Sequence, residues 1–398
     1  MNILLAFDKF KGALTAGEAC RIAADAVQSE CPEISISEAP LTDGGEGFCP
    51  ILTEARNGAL EEYAVADPLG RPLRAPIGWV DAEELPLEAR ARIGCVEGQR
   101  VAIIEMASAS GLPILSMEER DPWKTTSRGT GELIQKAVEE GADLILLGVG
   151  GSATNDCGVG VLEALGVRFL DAEGQALVDL RPDRFDLVES VEYEAAEPLP
   201  PIVIASDVQS PLLGESGATR VFGPQKGLND VEKMEAVFER MAVLIASASP
   251  FDESSASPDA SKPGMGAAGG ISFGLSALAE VRVEPGFALV SDWMELAEKL
   301  AAADWVVTGE GRLDQGSLSG KGPVALLRDA VKQGAKVAAF AGAIEEGVPE
   351  SLAGELGECT CIALSRPEWS LEESLSRTEE RLAEEVSGWA AERKSRGW

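Results

Sequence analysis

The chain has 398 residues, 45% of them hydrophobic, and a formal net charge of −33. That length favours two domains with ample apolar content for buried cores, while the charge argues against nucleic acid and anionic membranes as partners. It contains no histidine, so Ser-His-Asp and Cys-His catalysis and His-ligated zinc or haem are excluded, and acid–base chemistry falls to Asp, Glu, Lys, Tyr or Cys.

The elements are predicted in chain order as follows. Met1–Phe7 reads as a first strand rather than a leader, and it ends at Asp8-Lys-Phe-Lys-Gly12. A helix follows from about Thr15, with Thr15-Ala-Gly-Glu18 as a capping box. Strand Ile34–Ala39 runs into Pro40-Leu-Thr-Asp-Gly-Gly-Glu-Gly47. Asp67-Pro-Leu-Gly-Arg-Pro72 is a turn between strands, so antiparallel pairing is expected there. Strand Val101–Glu105 ends at Met106-Ala-Ser-Ala-Ser-Gly111, which includes Ser108. Ser127-Arg-Gly-Thr-Gly131 opens a helix to Glu140, with Gly141 as its C-cap. An apolar run from Ala142 to Val149 feeds Gly148-Val-Gly-Gly-Ser-Ala-Thr-Asn-Asp156, and a helix follows from Val159 to Leu165. Strands Ile202–Ser206, Trp305–Thr308 and Val337–Phe340 end at Asp207, at Gly309-Glu-Gly-Arg-Leu-Asp314 and at Ala341-Gly342. Ser247–Gly264 reads as a mobile loop. From Ser370 a capped helix carries the apolar stripe Leu371, Leu375, Leu382, Val386 and Trp389.

Repeated βα units predict mainly parallel, helix-covered sheets, with ligands gathered at the carboxyl ends of the strands. Those ends carry Asp8, Asp43, Glu46, Glu105, Asp207, Glu310 and Asp314. The Gly148–Asp156 turn is a ready anion site if its backbone N–H groups and the helix end face a ligand. Its Gly-x-Gly-x-x-Ala pattern, with Asp171 past the next strand, also admits a dinucleotide reading and hence an NAD-dependent dehydrogenase of a small hydroxy acid. A non-catalytic binder of such an acid is a third reading. Gly264-Met-Gly-Ala-Ala-Gly269 follows a loop rather than a strand and reads as an anion loop. Gly316-Ser-Leu-Ser-Gly-Lys321 is one residue short of a P-loop. Seven scattered cysteines without a CxxC pair suggest reduced thiols in a cytoplasm, and Cys359-Thr-Cys361 should share one face of a strand.

Taken together these segments resemble the bacterial glycerate kinase family, which includes the glycerate 2-kinases. The resemblance is carried by Asp8-Lys-Phe-Lys-Gly-Ala-Leu-Thr-Ala16, Pro40–Gly47, Asp67–Pro72 and Glu105–Leu112. It continues through Thr126–Ile134, Gly150–Asp156, Val221–Gly227, Pro263–Gly270 and Thr308–Arg312, in family order across almost the whole chain. The chain departs from the family with Ala13 for Ser, Phe48 for Thr, Arg128 for Tyr, Cys157 for Gly, Met265 for a small residue, and an inverted order at Gln315-Gly316. Arg128 is the departure that bears on substrate preference.

The resemblance implies phosphorylation of D-glycerate by ATP with Mg²⁺, giving 2-phosphoglycerate in preference to 3-phosphoglycerate, in a cytoplasmic monomer or homodimer. It also implies two unequal α/β domains with mainly parallel sheets, one inserted into the other, with the active site in the cleft between them. The expected boundaries are 1–62 with 288–398 for a Rossmann-like domain and 63–287 for the inserted one. Phosphoryl transfer needs positioning and charge neutralisation rather than histidine. Asp43, Lys11, Asp207 and Asp314 are the candidates for the chemistry, and Asp207 and Asp156 for the metal. Substrate and phosphate contacts are expected from Asp8, Lys9, Gly44, Gly45, Arg71, Ser108, Gly150, Gly151, Ser152, Thr154, Asn155, Lys226, Gly266, Glu310, Arg312 and Lys321.

Overall fold

The computed structural model describes residues 1–193, 199–250, 258–319 and 322–398. The strands run as β1 (Asn2–Phe7), β2 (Ser35–Glu38), β3 (Ala59–Ala66), β4 (Pro72–Asp81), β5 (Arg100–Glu105), β6 (Leu144–Gly148) and β7 (Val167–Leu170). They continue as β8 (Ala176–Leu177), β9 (Ser190–Tyr193), β10 (Ile202–Ala205), β11 (Val281–Glu284), β12 (Trp305–Leu313), β13 (Lys336–Ile344) and β14 (Cys359–Ala363). The chain divides into two compact units, Met1–Thr42 with Val290–Trp398, and Asp43–Leu289. The crossings fall after Thr42 and Leu289, where 62 and 287 were expected. Helix Phe48–Glu54 explains the first difference. It packs on β4 and β5, and the amides of Gly47 and Cys49 at its start donate to the buried Glu105 at the end of β5 (3.0 and 3.3 Å).

The terminal unit holds a five-stranded sheet in the order β14-β13-β12-β1-β2, parallel throughout. Numbered within the unit this is the doubly wound order 2-1-3-4-5. The interior strand β1 is buried from Ile3 to Phe7, as a run covered on both faces must be. Thr15 caps helix Ala16–Glu30 through the expected reciprocal box: its hydroxyl accepts from Glu18 N (3.2 Å) and its own N–H reaches Glu18 Oε2 (2.8 Å). That helix packs against helix Thr378–Ser395. Trp389 lies edge-on to Trp305 and Trp398, with ring centroids 5.2 and 5.6 Å away. The expected C-terminal stripe divides into two. Leu382, Val386 and Trp389 enter the core, but the helix is interrupted at Arg377, and in the separate helix Leu371–Ser376 Leu371 is exposed.

The inserted unit holds a six-stranded sheet, β11-β10-β6-β5-β4-β3, and a three-stranded one, β8-β7-β9. Strands β11, β10, β6 and β5 are parallel. β4 and β3 extend the sheet antiparallel through the Asp67–Pro72 turn. Strands β5, β6 and β10 are near-continuous apolar runs, buried along almost their whole length. β3 is one edge strand and is largely exposed, with Glu61 and Glu62 outward, a charged edge that discourages pairing with another chain. Among the described residues no helix is long and apolar enough to cross a membrane. Residues 251–257 of the expected mobile loop lie outside the described residues.

Trp389 is only 3% exposed within the core of the terminal unit. Trp389→Ala should cost ~3–5 kcal/mol, read as a lower urea midpoint for the transition of that unit. A loss below about 1 kcal/mol would show that the aromatic cluster adds little to stability.

Candidate active site

Backbone contact builds the first part of the site. The Asp43-Gly44-Gly45 loop lies across the carboxyl ends of β6, β10 and β11, too close for side chains at the points of contact. A Cβ on Gly44 (φ +98°) would stand 2.4 Å from the Ala205 carbonyl oxygen, one on Gly150 2.6 Å from Gly45 Cα, and one on Gly286 2.0 Å from the Asp43 carbonyl oxygen. Gly150 N donates to Gly44 O at 2.9 Å. The result is an exposed Asp43 whose Oδ1 accepts from Gly45 N (3.2 Å). This Asx-turn fixes the side chain. Oδ2 has no protein partner among the described residues. Asp207, half-buried just past β10, accepts from Phe287 N at 3.4 Å. Asp43 and Asp207 therefore both border the Gly286-Phe287 segment.

The Gly150–Asp156 turn is built differently from the sequence expectation. Ser152, Thr154, Asn155 and Asp156 are buried; Ser152 and Asp156 have protein partners, whereas Thr154 Oγ1 and Asn155 Oδ1 have none among the described residues. Asp156, expected as a metal ligand, accepts from Ser127 N and Oγ (2.8 Å each) and from Gly158 N and Gly160 N (3.2 Å each). Its carboxylate joins the starts of helices Arg128–Glu139 and Val159–Ala164, with three of the donors on Oδ2 and one on Oδ1. Burial pushes its pKa up, against the pull of those four donors. Asn155 reaches Thr219 Oγ1 at 3.4 Å.

Lys226 lies under the turn rather than on its surface. It is 2% exposed and donates to Ser152 Oγ (2.9 Å) and Thr154 O (2.6 Å). Burial lowers its pKa to about 7, partly offset by the negative charge of Asp156. Gly266 is packed as well, since a Cβ there would meet the Pro211 carbonyl at 2.2 Å. Only Gly150 and Gly151 keep the turn open to solvent. Gly151 (φ +72°) is exposed, and its N–H has no acceptor among the described residues.

The dinucleotide reading fails on two counts. The two motif glycines Gly148 and Gly150 pack against Gly44, Gly45 and Phe48, which leaves no room there for a pyrophosphate. Asp171 follows β7, which belongs to the separate three-stranded sheet, and it closes a turn by accepting from Glu173 N and Gln175 N.

Two further candidates on this edge are committed locally. Arg71 pairs with Asp67 (2.5 Å) and Glu119 (2.6 Å), and these carboxylates raise its pKa. The half-buried Ser108 donates to Glu105 O at 2.7 Å. Arg128 pairs with Glu132 at 2.9 Å.

In the terminal unit β12 runs on to Leu313, beyond the Thr308 expected. Glu310 and Arg312 are therefore strand residues that share one face, not loop residues. Burial, with Asp8 and Asp314 nearby, raises the Glu310 pKa to about 7. Asp8 Oδ1 accepts from Lys9 N (2.7 Å), with Lys9 Nζ 4.0 Å away. Asp314 starts helix Gln315–Ser319 by accepting from Ser317 N (3.1 Å), and Arg312 Nε lies 3.8 Å from its other oxygen. Lys11 is exposed and has no ion pair among the described residues. Lys321 lies outside the described residues.

Sequence reasoning missed Gly286, which a Pro-Gly pair after β11 signals, and the buried anchor role of Glu105.

Comparison with known proteins agrees with this architecture. The family model described as "Glycerate kinase family" matches residues 3–392. The chain is 35% identical over 353 residues to the glycerate 2-kinase of Escherichia coli K12, covering 87% of each. It is 36% identical over 352 residues to the glycerate kinase of Haemophilus influenzae Rd, again covering 87% of each. A crystal structure provisionally described as glycerate kinase 2 from Salmonella typhimurium LT2 superposes with a TM-score of 0.75 at 33% identity, covering 99% of this chain and 98% of that one.

The buried Lys226 makes stability depend on pH. Below its folded pKa of about 7 both folded and unfolded chains hold the proton, and the folded state bears the full cost of burying the charge. Between that value and the ordinary lysine pKa of ~10.4 only the unfolded chain holds it. Stability relative to Lys226→Met should therefore rise with pH, approaching ~1.4 kcal/mol per unit. Urea midpoints of both proteins from pH 6 to 9 check this. A gap that stays constant would mean that the amine does not titrate in this range.

Proposed function

The chain belongs to the glycerate kinase family and is a kinase, and we propose that it transfers the γ-phosphoryl group of ATP to the 2-hydroxyl of D-glycerate. The observation that carries the assignment of the chemistry is Asp43. Its exposed carboxylate is held by its own loop at the carboxyl ends of three parallel strands, with one oxygen unpartnered among the described residues. In this role Asp43 accepts the proton of the attacking hydroxyl and orients the oxygen toward the phosphorus, the part that phosphoryl transfer asks of a base. The Gly151 N–H faces the same solvent edge, and we assign it to the glycerate carboxylate or a phosphate oxygen. Lys226, Asp156 and Asn155 act through the turn, as its supports.

Among the described residues no three acidic or cysteine side chains converge as a metal cage. Mg²⁺ arriving on a nucleotide needs none, because it takes one or two carboxylates and completes its shell with phosphate oxygens and water. Asp207 is a hard oxygen donor past a strand end and fits that role. When bound, the ion would neutralise phosphate charge. Within the terminal unit, Lys9, Lys11 and Arg312 carry positive charge past the end of β1 and on β12. Glu310, half-protonated near neutral pH, repels an anion there less than an ordinary carboxylate would. The seven cysteines are unpaired, which supports a reducing, cytoplasmic setting.

Two outcomes test this reading. Asp43→Asn keeps the Asx-turn and removes the charge, so kcat for glycerate should fall by ~10² or more with the melting temperature unchanged. Near-normal turnover would leave Asp43 a loop former only, and a ³¹P spectrum of the product showing 3-phosphoglycerate would overturn the choice of hydroxyl. Separately, Gly286→Ala must displace the Asp43 backbone, and kcat should fall about tenfold or more in a folded protein. Unchanged kinetics would show that the position of the loop does not set the rate.

A further inference from the structure

The doubly wound sheet of the terminal unit reverses direction between β1 and β12. From β1 the chain builds outward to β2 on one side, and β12, β13 and β14 build outward on the other. In open parallel sheets ligands enter the crevice outside the carboxyl ends at such a reversal. A cleft opens there. Phe10 and Lys11 past β1 line it, with Gly311 on β12, Gly342 on β13, and Ser365 and Arg366 past β14. Helix Leu371–Ser376 closes it with Leu371 and Leu375, which accounts for an apolar pair that stays out of the core.

The cleft volume is about 180 Å³. Sites that enclose a whole small ligand run to ~300–1,000 Å³, so this one has room for a ring system with the remainder of the ligand outside. Apolar walls and two glycine backbones suit a flat heteroaromatic ring whose edge hydrogen-bonds to main chain. Gly342 is required, because a Cβ there would meet the Gly311 carbonyl at 2.4 Å. Charge points the same way. The chain has 67 acidic residues against 34 basic ones, yet Lys11 and Arg366 have no ion pair among the described residues. Arg366 and Arg377 instead lie 5.2 and 4.8 Å from the ring centroid of Trp369, itself a wall of the cleft. Unpaired cations at the mouth of a ring-sized apolar cleft describe a receptor for a ring that carries phosphates.

We propose that this cleft binds the adenosine portion of ATP, with Lys11 and Arg366 placed to attract its phosphates. The proposal rests on ATP as the phosphoryl donor, and direct binding separates its failure from the failure of that reading. The full-length protein is titrated calorimetrically with Mg²⁺ and the non-hydrolysable analogue AMP-PNP. Ala343→Phe, which fills the cleft from β13, should weaken binding by about tenfold or more, and Arg366→Ala by several-fold, while the KM for glycerate stays within about twofold. The wild-type protein is also photolabelled with 8-azido-ATP, which depends on no variant folding, and label should fall on the segment Ser365–Thr378. No binding of AMP-PNP, label confined to other segments, or wild-type affinity in a folded Ala343→Phe protein would each overturn the proposal. If glycerate is phosphorylated with ATP while label lies elsewhere, the cleft assignment fails and the kinase reading stands. If the cleft takes label but glycerate is not phosphorylated, the reverse holds.

Discussion

The candidate site of the inserted unit depends on backbones meeting without side chains between them. Gly44, Gly148, Gly150 and Gly286 occupy points where a single Cβ would overlap a neighbouring main chain. That absence of atoms brings a short loop across three strand ends, and the loop then leaves Asp43 outward. Glu105 secures the far side of the same loop by capping the helix that follows it. Glycines in such a motif suggest room for a phosphate. Here most of that room is taken by the protein itself, and what remains for a ligand is the Gly151 amide and the carboxylates that the packing displays.

Electrostatics reinforces this division of labour. A chain with so large an excess of acidic residues gains nothing from general surface attraction of an anionic substrate, so cations must be local. Many of its basic side chains are paired with neighbouring carboxylates, as Arg71, Arg128 and Arg328 are. One lysine is buried where its charge is costly. Lys11 and Arg366 stand apart from both groups, and they lie at the carboxyl edge of the parallel sheet in the terminal unit.

The sequence was most informative where a local rule acts alone. The Thr15–Glu18 box, the antiparallel turn at Asp67–Pro72, the buried runs of β5, β6 and β10 and the shared face of Cys359 and Cys361, whose sulfurs lie 3.8 Å apart, all follow from spacing and composition. It was least informative where a polar residue can face either way. Thr154, Asn155 and Asp156 read the same whether they meet a ligand or the interior, and only long-range partners such as Ser127 and Thr219 decide the direction. The end of β12 failed for a related reason: Gly309-Glu-Gly-Arg carries turn composition, but pairing with β13 extends the strand to Leu313. Cys157 shows the converse. It is not glycine, yet its backbone is left-handed, at φ +58°, a conformation uncommon for a residue with a side chain.

The glycine contacts also set an order of assembly. Gly44 meets Ala205, and Asp43 meets Gly286, so each contact closes a long stretch of chain. Ordering a long segment is slow, because its entropy is lost before the contact returns any energy. The strands that receive the loop must already be in register when it arrives, since it lies on their ends rather than between them. By this argument the Asp43–Gly45 loop joins late in folding, after the sheets whose strand ends it rests on.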